Sequence, residues 1–438
     1  MMQKPNLVFL LADQLRAASL PLHGEKQIAT PHLDRLAAES VVCQNALSTV
    51  PICTPYRAML LTGRYPQSTG MIGNFLGMRH DEIGIGDAFS AAGYQTAWIG
   101  KWHLQTGAWP GAGLKEGAEG ACHIPMGRQR LGFNYWRAYN FHEQYFNGWV
   151  DKDHWRNEIW DGYETDALNR YAFEFMDRAG EDPFCVFLSP HQPHHTTCGP
   201  HAPEEYYRRL PETLQMPANV PDAVRPKCEA AYRDYLAMIL ALDDMLGQLM
   251  RYLEETGRAE NTVLVFTSDH GSQFGAHGDG PWSKATPSEE SVCVPLLVRL
   301  PGKQGAGSAC ESLVTPVDLF PTLCGLCGVK VPRTVEGMDL SRTLRGDAGA
   351  PVREEALMMG FADNFCFFEV PADPPGKKIW RAIHTGQHKL VRRYCGDNEL
   401  YDLAADPLET NNLAGTSAVR ELEANLSNRL DQLMHERN

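Results

Sequence analysis

The sequence lacks a long apolar run. Its first strongly hydrophobic stretch, Leu7 to Ala12, is six residues long before Asp13 ends it. A membrane-spanning helix needs ~20 such residues and the core of a secretory signal peptide ~7–15. The expectation is therefore a cytoplasmic chain with neither membrane span nor export signal. A basic excess is also missing: 40 Lys and Arg stand against 54 Asp and Glu, a net charge of −14. That argues against a nucleic-acid partner, and any anionic ligand must be attracted by a local cation cluster or a metal. Framework spacing is absent among the 12 cysteines, and a chain this long builds a core without disulfide staples, so reduced thiols are expected. The lone Cys324-Gly325-Leu326-Cys327 is read as part of a helix opened by Thr315-Pro316, not as a metal or redox motif. There is no internal repeat and no low-complexity tract.

What is present is a repeated grammar of short hydrophobic stretches that stop abruptly at polar residues. Leu7–Ala12 ends at Asp13-Gln14, and Thr96–Gly100 at Lys101 and His103. Phe184–Leu188 runs into Ser189-Pro190-His191-Gln192-Pro193-His194, and Val263–Phe266 into Thr267-Ser268-Asp269-His270. Runs of this length without polar alternation suit strands buried on both faces, hence a parallel sheet covered by helices. Helical segments lie between them: one opens at Thr30-Pro31, and Tyr232 to Leu253 is long and amphipathic. In open α/β sheets, ligands sit beyond the carboxyl ends of the strands, and all four polar endings fall there. Their shared placement predicts one site.

Composition shifts near residues 342–356. Beyond the shift, short strands are expected at Arg381–His384, Lys389–Arg392 and Glu399–Leu403, followed by a final helix from Ala418 to His435. The predicted organisation is a catalytic α/β/α domain over residues 1–345 and a small α+β subdomain over 346–438 that closes one side of the pocket.

The segment Cys53-Thr54-Pro55-Tyr56-Arg57 carries the most chemistry. Thr54-Pro55 reads as a helix start and Gly63 as its terminator. Cys53 then sits where backbone N–H groups and the helix dipole favour an anion, with Arg57 one turn on and on roughly the same face. A cysteine so placed is expected to be acidic and reactive. The Cys-x5-Arg loop of cysteine phosphatases would require arginine at position 59, which is Met59.

The chain resembles the type I, formylglycine-dependent sulfatases of the alkaline-phosphatase superfamily. Their Cys-x-Pro-Ser/Ala-Arg signature and following Thr-Gly-Arg match Cys53-Thr54-Pro55-Tyr56-Arg57 and Thr62-Gly63-Arg64, with Tyr56 as the departure. Further matches extend almost end to end. They include Asp13-Gln14, Gly100-Lys101-Trp102-His103, Pro190–His194, Ser268-Asp269-His270-Gly271, Lys284 ahead of Glu289-Glu290-Ser291, and Glu399–Leu403 with Asp406-Pro407.

The resemblance implies an alkaline-phosphatase-like three-layer α/β/α fold with a mostly parallel sheet, and a sulfatase acting on a small anionic sulfate ester of a carbohydrate or aryl alcohol. It implies that Cys53 is converted to formylglycine by a partner, a formylglycine-generating enzyme or an anaerobic maturase. One oxygen of the hydrated aldehyde would attack sulfur, and the other would then expel sulfate. One divalent metal, Ca²⁺ first, with Mg²⁺ or Mn²⁺ as alternatives, would be held by Asp13, Gln14, modified Cys53, Asp269 and His270. By the same resemblance, Lys101 and His103 lie near the formylglycine, while His194 and Lys284 contact the sulfate. Arg57, Lys101 and Lys284 would stabilise transition-state charge. His194 would protonate the leaving oxygen, and His103 would take the diol proton. Asn74 is a candidate substrate contact. His191, His195 and His277 are read as supporting or loop histidines. The ring-dense segment from Phe133 through Trp155 to Tyr163 serves either sugar stacking or packing.

Two other readings stay open at this point. The same nucleophile and metal would serve a phosphonate monoester or phosphodiester hydrolase, because those substrates also carry one negative charge. A non-catalytic anion-binding protein that keeps Cys53 as a thiol would not call for this full set of acids, lysines and histidines.

Overall fold

The computed structural model describes residues 4–106, 123–152, 154, 158–361 and 379–436. Fourteen strands are found among them: β1 (Asn6–Ala12), β2 (Val41–Ala46), β3 (Gln95–Lys101), β4 (Tyr135–Tyr139), β5 (Trp149–Val150), β6 (Glu158–Ile159), β7 (Phe184–Ser189), β8 (Thr262–Ser268), β9 (Leu296–Arg299), β10 (Ala309–Val314), β11 (Ala356–Gly360), β12 (Trp380–His384), β13 (His388–Arg393) and β14 (Glu399–Asp402). Eight form the central sheet, in the order β10-β2-β9-β8-β1-β7-β3-β4. Only β9 runs antiparallel to its neighbours. The four stretches read from the sequence are β1, β3, β7 and β8. They are adjacent and parallel, and nearly every residue in them is buried, as continuous hydrophobic strands in a two-sided sheet must be.

The sheet separates two apolar layers. Alternate β1 residues point into each: Val8 and Leu10 meet the long helix Arg225–Glu255, while Leu7, Phe9 and Leu11 meet the layer built on the helices Cys53–Thr62 and Pro316–Cys327. The helix read from Tyr232 begins at Arg225, because Pro226 occupies its first turn, where a missing N–H costs nothing. Cys324 and Cys327 are buried in the helix opened by Thr315-Pro316.

A second sheet, β11-β12-β13-β14, is antiparallel throughout. The helix Arg420–Glu436 covers it with Leu426, Leu430 and Leu433. Strand β11 went unread in the sequence, since Ala-Leu-Met-Met-Gly has neither β-branched residues nor alternation. This sheet braces the catalytic side directly: Trp380 Nε1 donates to Ala285 O at 3.0 Å, and Lys389 Nζ to Pro287 O at 2.7 Å. Both acceptors follow Lys284 closely in sequence.

Candidate active site

Register explains why the polar strand ends meet. Ala12 lies beside Ser268, so Asp13 and Asp269 leave the sheet side by side. Gly100 lies beside Ser189, so Lys101 and the 190–194 loop emerge together. Gln14 adopts a left-handed backbone (φ 67°), which turns the chain sharply after Asp13. Cys53 reaches the same point from the first turn of a wholly buried helix. The helix starts one residue earlier than the Thr54-Pro55 signal suggests, so Cys53 is its first residue, and it ends at left-handed Gly63.

Arg57 organises the acids. Its Nη2 lies 3.0 Å from Asp13 Oδ2 and 3.2 Å from Asp269 Oδ2, and its Nη1 donates to Lys101 O and Ser189 Oγ. Lys101 Nζ donates to the same Asp13 Oδ2 at 2.6 Å. The second oxygens face the thiol side. Asp13 Oδ1 is 3.8 Å from Cys53 Sγ, and Asp269 Oδ1 accepts from Gln14 N at 3.0 Å and lies 3.6 Å from His270 Nε2. Around Cys53 Sγ stand His270 Nε2 at 3.2 Å and Lys284 Nζ at 3.5 Å. Lys284 also donates to Gln14 Oε1 at 3.0 Å, while Gln14 Nε2 is anchored on Ser272 Oγ and Trp282 O.

The electrostatics follow from burial. Desolvation alone would raise the Asp13 carboxyl, but Lys101, His194 and Arg57 outweigh it and hold it well below the usual range. Asp269 is pushed up, by burial and then by the Asp13 charge. For the Cys53 thiol, burial and Asp13 work upward, yet Lys101, Lys284 and His270 bring it below its ordinary value. His103 and His194 are both driven well down by burial, helped by Lys101 and Lys284 respectively, and so are neutral near pH 7.

The donor set fits a divalent cation. Ligand atoms of Asp13, Cys53, Asp269 and His270 lie within 4.8 Å of one another, and the Gln14 amide oxygen adds a fifth candidate through its shared contact with Lys284. Two buried like-charged carboxylates, each with one oxygen turned away from Arg57, provide hard donors, and the imidazole admits a borderline ion.

A cavity of about 410 Å³ opens onto Cys53, lined by Gln14, Asn74, His103, Phe141, His194, Trp282 and Lys284 among others. His194 Nδ1 donates to the His195 carbonyl, 2.7 Å away, so in the neutral ring Nε2 is the nitrogen without a hydrogen. Neither ring nitrogen of His103 has a hydrogen-bond partner among the described residues, and Phe75 and Phe141 pack around its ring. Asn74 lines the cavity, but its Oδ1 accepts from Thr54 N at 3.0 Å and so caps the Cys53 helix as well.

All the metal and catalytic candidates read from the sequence converge here. His191, read as a supporting or loop histidine, sits against Lys101, with Nε2 3.0 Å from Nζ and Nδ1 2.8 Å from His142 O. Phe141 was one of many rings in its segment and Trp282 lies alone in a polar stretch, so only the fold shows that both face the cavity. Of the aromatic segment, Phe133, Trp136, Tyr139 and Trp160 are buried in the two apolar layers, which is packing, and Trp155 lies outside the described residues. Tyr56 points into the core beside Thr267, away from the cavity.

Comparison with known proteins agrees with this geometry. The Sulfatase family profile matches residues 5–329, and the profile described as N-sulphoglucosamine sulphohydrolase, C-terminal, matches residues 277–436. An ulvan-active sulfatase from Formosa agariphila is 36% identical over 98% of this chain and 82% of its own length. A solved protein in complex with its substrate D-glucosamine-2-N,6-O-disulfate superposes with a TM-score of 0.80 at 25% identity, covering 99% of this chain and 98% of the other. A phosphonate monoester hydrolase of Agrobacterium radiobacter shares the fold, with a TM-score of 0.78 at 22% identity over 99% of this chain and 96% of that one.

Proposed function

This chain belongs to the sulfatase family and is a sulfuric ester hydrolase, and we propose that it removes sulfate from an O-sulfated carbohydrate using Cys53 as the precursor of its nucleophile. The observation that carries the reading is Cys53 at the floor of the cavity, with Lys284, His270 and the Asp13 carboxylate within 4 Å of its sulfur. Sulfated-sugar action in the relatives supports the substrate class, and the cavity volume suits a small-molecule site.

Conversion of Cys53 to formylglycine by a maturation enzyme would supply an oxygen nucleophile in place of the thiol. A divalent ion on Asp13, Gln14, Asp269 and His270, with Ca²⁺ favoured by the oxygen donors, would lower the pKa of that oxygen and polarise the ester. The chain's own residues then have distinct tasks. Arg57 fixes both carboxylates and leaves their second oxygens facing the nucleophile. Lys284 lines the cavity and places positive charge where the sulfuryl oxygens gain negative charge, and Lys101 adds to that field from its buried position beside Asp13. His194 presents Nε2 to the cavity, where a bound sulfate monoanion favours its protonation and hence proton donation to the leaving alcohol. His103, free at both ring nitrogens among the described residues and beside the Cys53 helix, is placed to take a proton from the nucleophile side.

Peptide mass spectrometry and paired substrates test this reading. The Cys53 peptide from active protein should be about 18 Da lighter than the thiol form, and sulfated sugars should turn over faster than phosphonate monoesters or phosphodiesters. An unshifted peptide from active protein would sink the nucleophile, and faster phosphorus turnover would reassign the substrate.

A further inference from the structure

Away from the cavity, the turn after β8 meets the loop following β14 at another group of metal-ligating side chains. Ligand atoms of His277, Glu290 and Glu409 lie within 4.8 Å of one another. Glu290 is 6% exposed and Glu409 4%. Each oxygen of Glu409 is already engaged, one by Lys389 Nζ and the other by the Glu289 N–H. Glu290 Oε1 accepts from Asn219 Nδ2 at 2.6 Å.

Its second oxygen is different. Glu290 Oε2 is buried and has no hydrogen-bond partner among the described residues, and the same is true of Asn219 Oδ1. Glu290 Oε2 is aimed at His277 Nε2 across 3.7 Å. That is too long for a hydrogen bond, but two donors each about 2.1 Å from one metal lie about 3–4 Å apart. Glu290 holds the His277 imidazole above its ordinary value, and burial pushes the Glu409 carboxyl up to about 7, so an ion bound here would take the place of protons on these two groups.

We propose that His277, Glu290 and Glu409, with Asn219 Oδ1 as a fourth donor, bind a further divalent cation of the zinc type, distinct from the catalytic metal. Imidazole with carboxylates is a zinc donor set. The ion joins the catalytic domain to the C-terminal region, because His277, Asn219 and Glu290 belong to the former and Glu409 to the latter. Asn219 Nδ2 also donates to Leu408 O at 3.3 Å, so the ion would reinforce a contact already made there. Its role is to fix that junction and not to touch the substrate.

The test uses the full-length protein with its catalytic site saturated by Ca²⁺, dialysed against zinc and analysed for metal content. Wild type should retain one zinc equivalent more than His277→Ala or Glu290→Gln, and saturating zinc should raise the Tm of wild type more than that of either variant, by about 2–4 °C. Equal zinc uptake by wild type and both variants would overturn the proposal. Arylsulfate turnover in zinc-free buffer confirms that the variants are folded. Should they fail to fold, a zinc-edge anomalous map of wild-type crystals decides. A peak between His277 Nε2 and Glu290 Oε2 supports the site, whereas no peak there leaves only an imidazolium–carboxylate pair and overturns it.

Discussion

Asp13 and Asp269, though 256 residues apart in the chain, each give Oδ2 to the Arg57 guanidinium and turn Oδ1 toward the Cys53 side. One arginine thus fixes two carboxylates at once, and the carboxylates in turn keep a fully buried cation paired. The arrangement is more rigid than two separate ion pairs, since moving either acid strains both.

Arg57→Ala removes the shared partner and leaves two buried carboxylates facing each other. The expected cost is about 3–5 kcal/mol of stability, read from urea unfolding, together with loss of sulfatase activity. Arg57→Lys should recover part of the stability, since one ammonium can reach an acid but cannot span both as the planar fork does. A stability change below about 1 kcal/mol for Arg57→Ala would show that the bridge is not a structural keystone.

Lys284→Ala removes the ammonium 3.5 Å from Cys53 Sγ and 3.0 Å from Gln14 Oε1. A loss of about 10²–10³ in kcat/KM is expected, with the larger share in kcat, because the charge it answers grows in the transition state. Steady-state kinetics on an aryl sulfate measures this directly. A change confined to KM would mean that Lys284 only binds substrate.

Removal of the catalytic metal should lower both activity and Tm. Asp269 is pushed up by burial and by Asp13 even though His270, Arg57 and Lys101 act against it, so a dication would find charge left to neutralise. An ion present at 100 times its Kd contributes about 2.7 kcal/mol of stability. Chelation followed by Ca²⁺, Mg²⁺ or Mn²⁺ should restore the Tm to an extent that ranks the ions. Full activity that survives exhaustive chelation would contradict the metal assignment.

Glu164 supplies a pH dependence away from the metal. Burial raises its carboxyl from 4.5 to about 7, despite hydrogen bonds from Tyr139 and Gln192. The folded state therefore holds this proton more tightly than the unfolded chain. The associated stability is fully present below about pH 4.5 and is lost as the pH rises to about 7. In Glu164→Gln the group stays neutral, and the Gln192 Oε1, which has no hydrogen-bond partner among the described residues, can turn to accept from the new amide. The variant should match wild type near pH 4.5 and exceed it by up to about 3 kcal/mol near pH 8. Parallel curves of Tm against pH for the two proteins would refute the shift.

Much of the site was legible because its residues sit at abrupt ends of hydrophobic runs, and a run that is apolar on both faces has few fates besides a central parallel strand. Asp13, Lys101, His194 and Asp269 were found by that rule, and the Cys53–Arg57 spacing by helix geometry. The rule names residues but not their partners. His191 reads as a supporting or loop histidine, and that the residue it supports is Lys101 depends on β7 lying next to β3. Strand β11 was missed because its residues pack well without having strand propensity.

The sequence by itself determined the four site-bearing strands β1, β3, β7 and β8, the helix that carries Cys53, and the kinds of donor delivered to the strand ends. Those follow from local hydrophobic period, capping residues and chemical type, which need no knowledge of distant contacts. Only the tertiary structure decided that β8, β1, β7 and β3 are neighbours, that one oxygen of each acid belongs to Arg57, and that Trp282 and Phe141 face the cavity while Tyr56 and Trp136 fill the core. These are long-range choices of strand order and side-chain direction, set by how two apolar layers close on one sheet and not by any local run of residues.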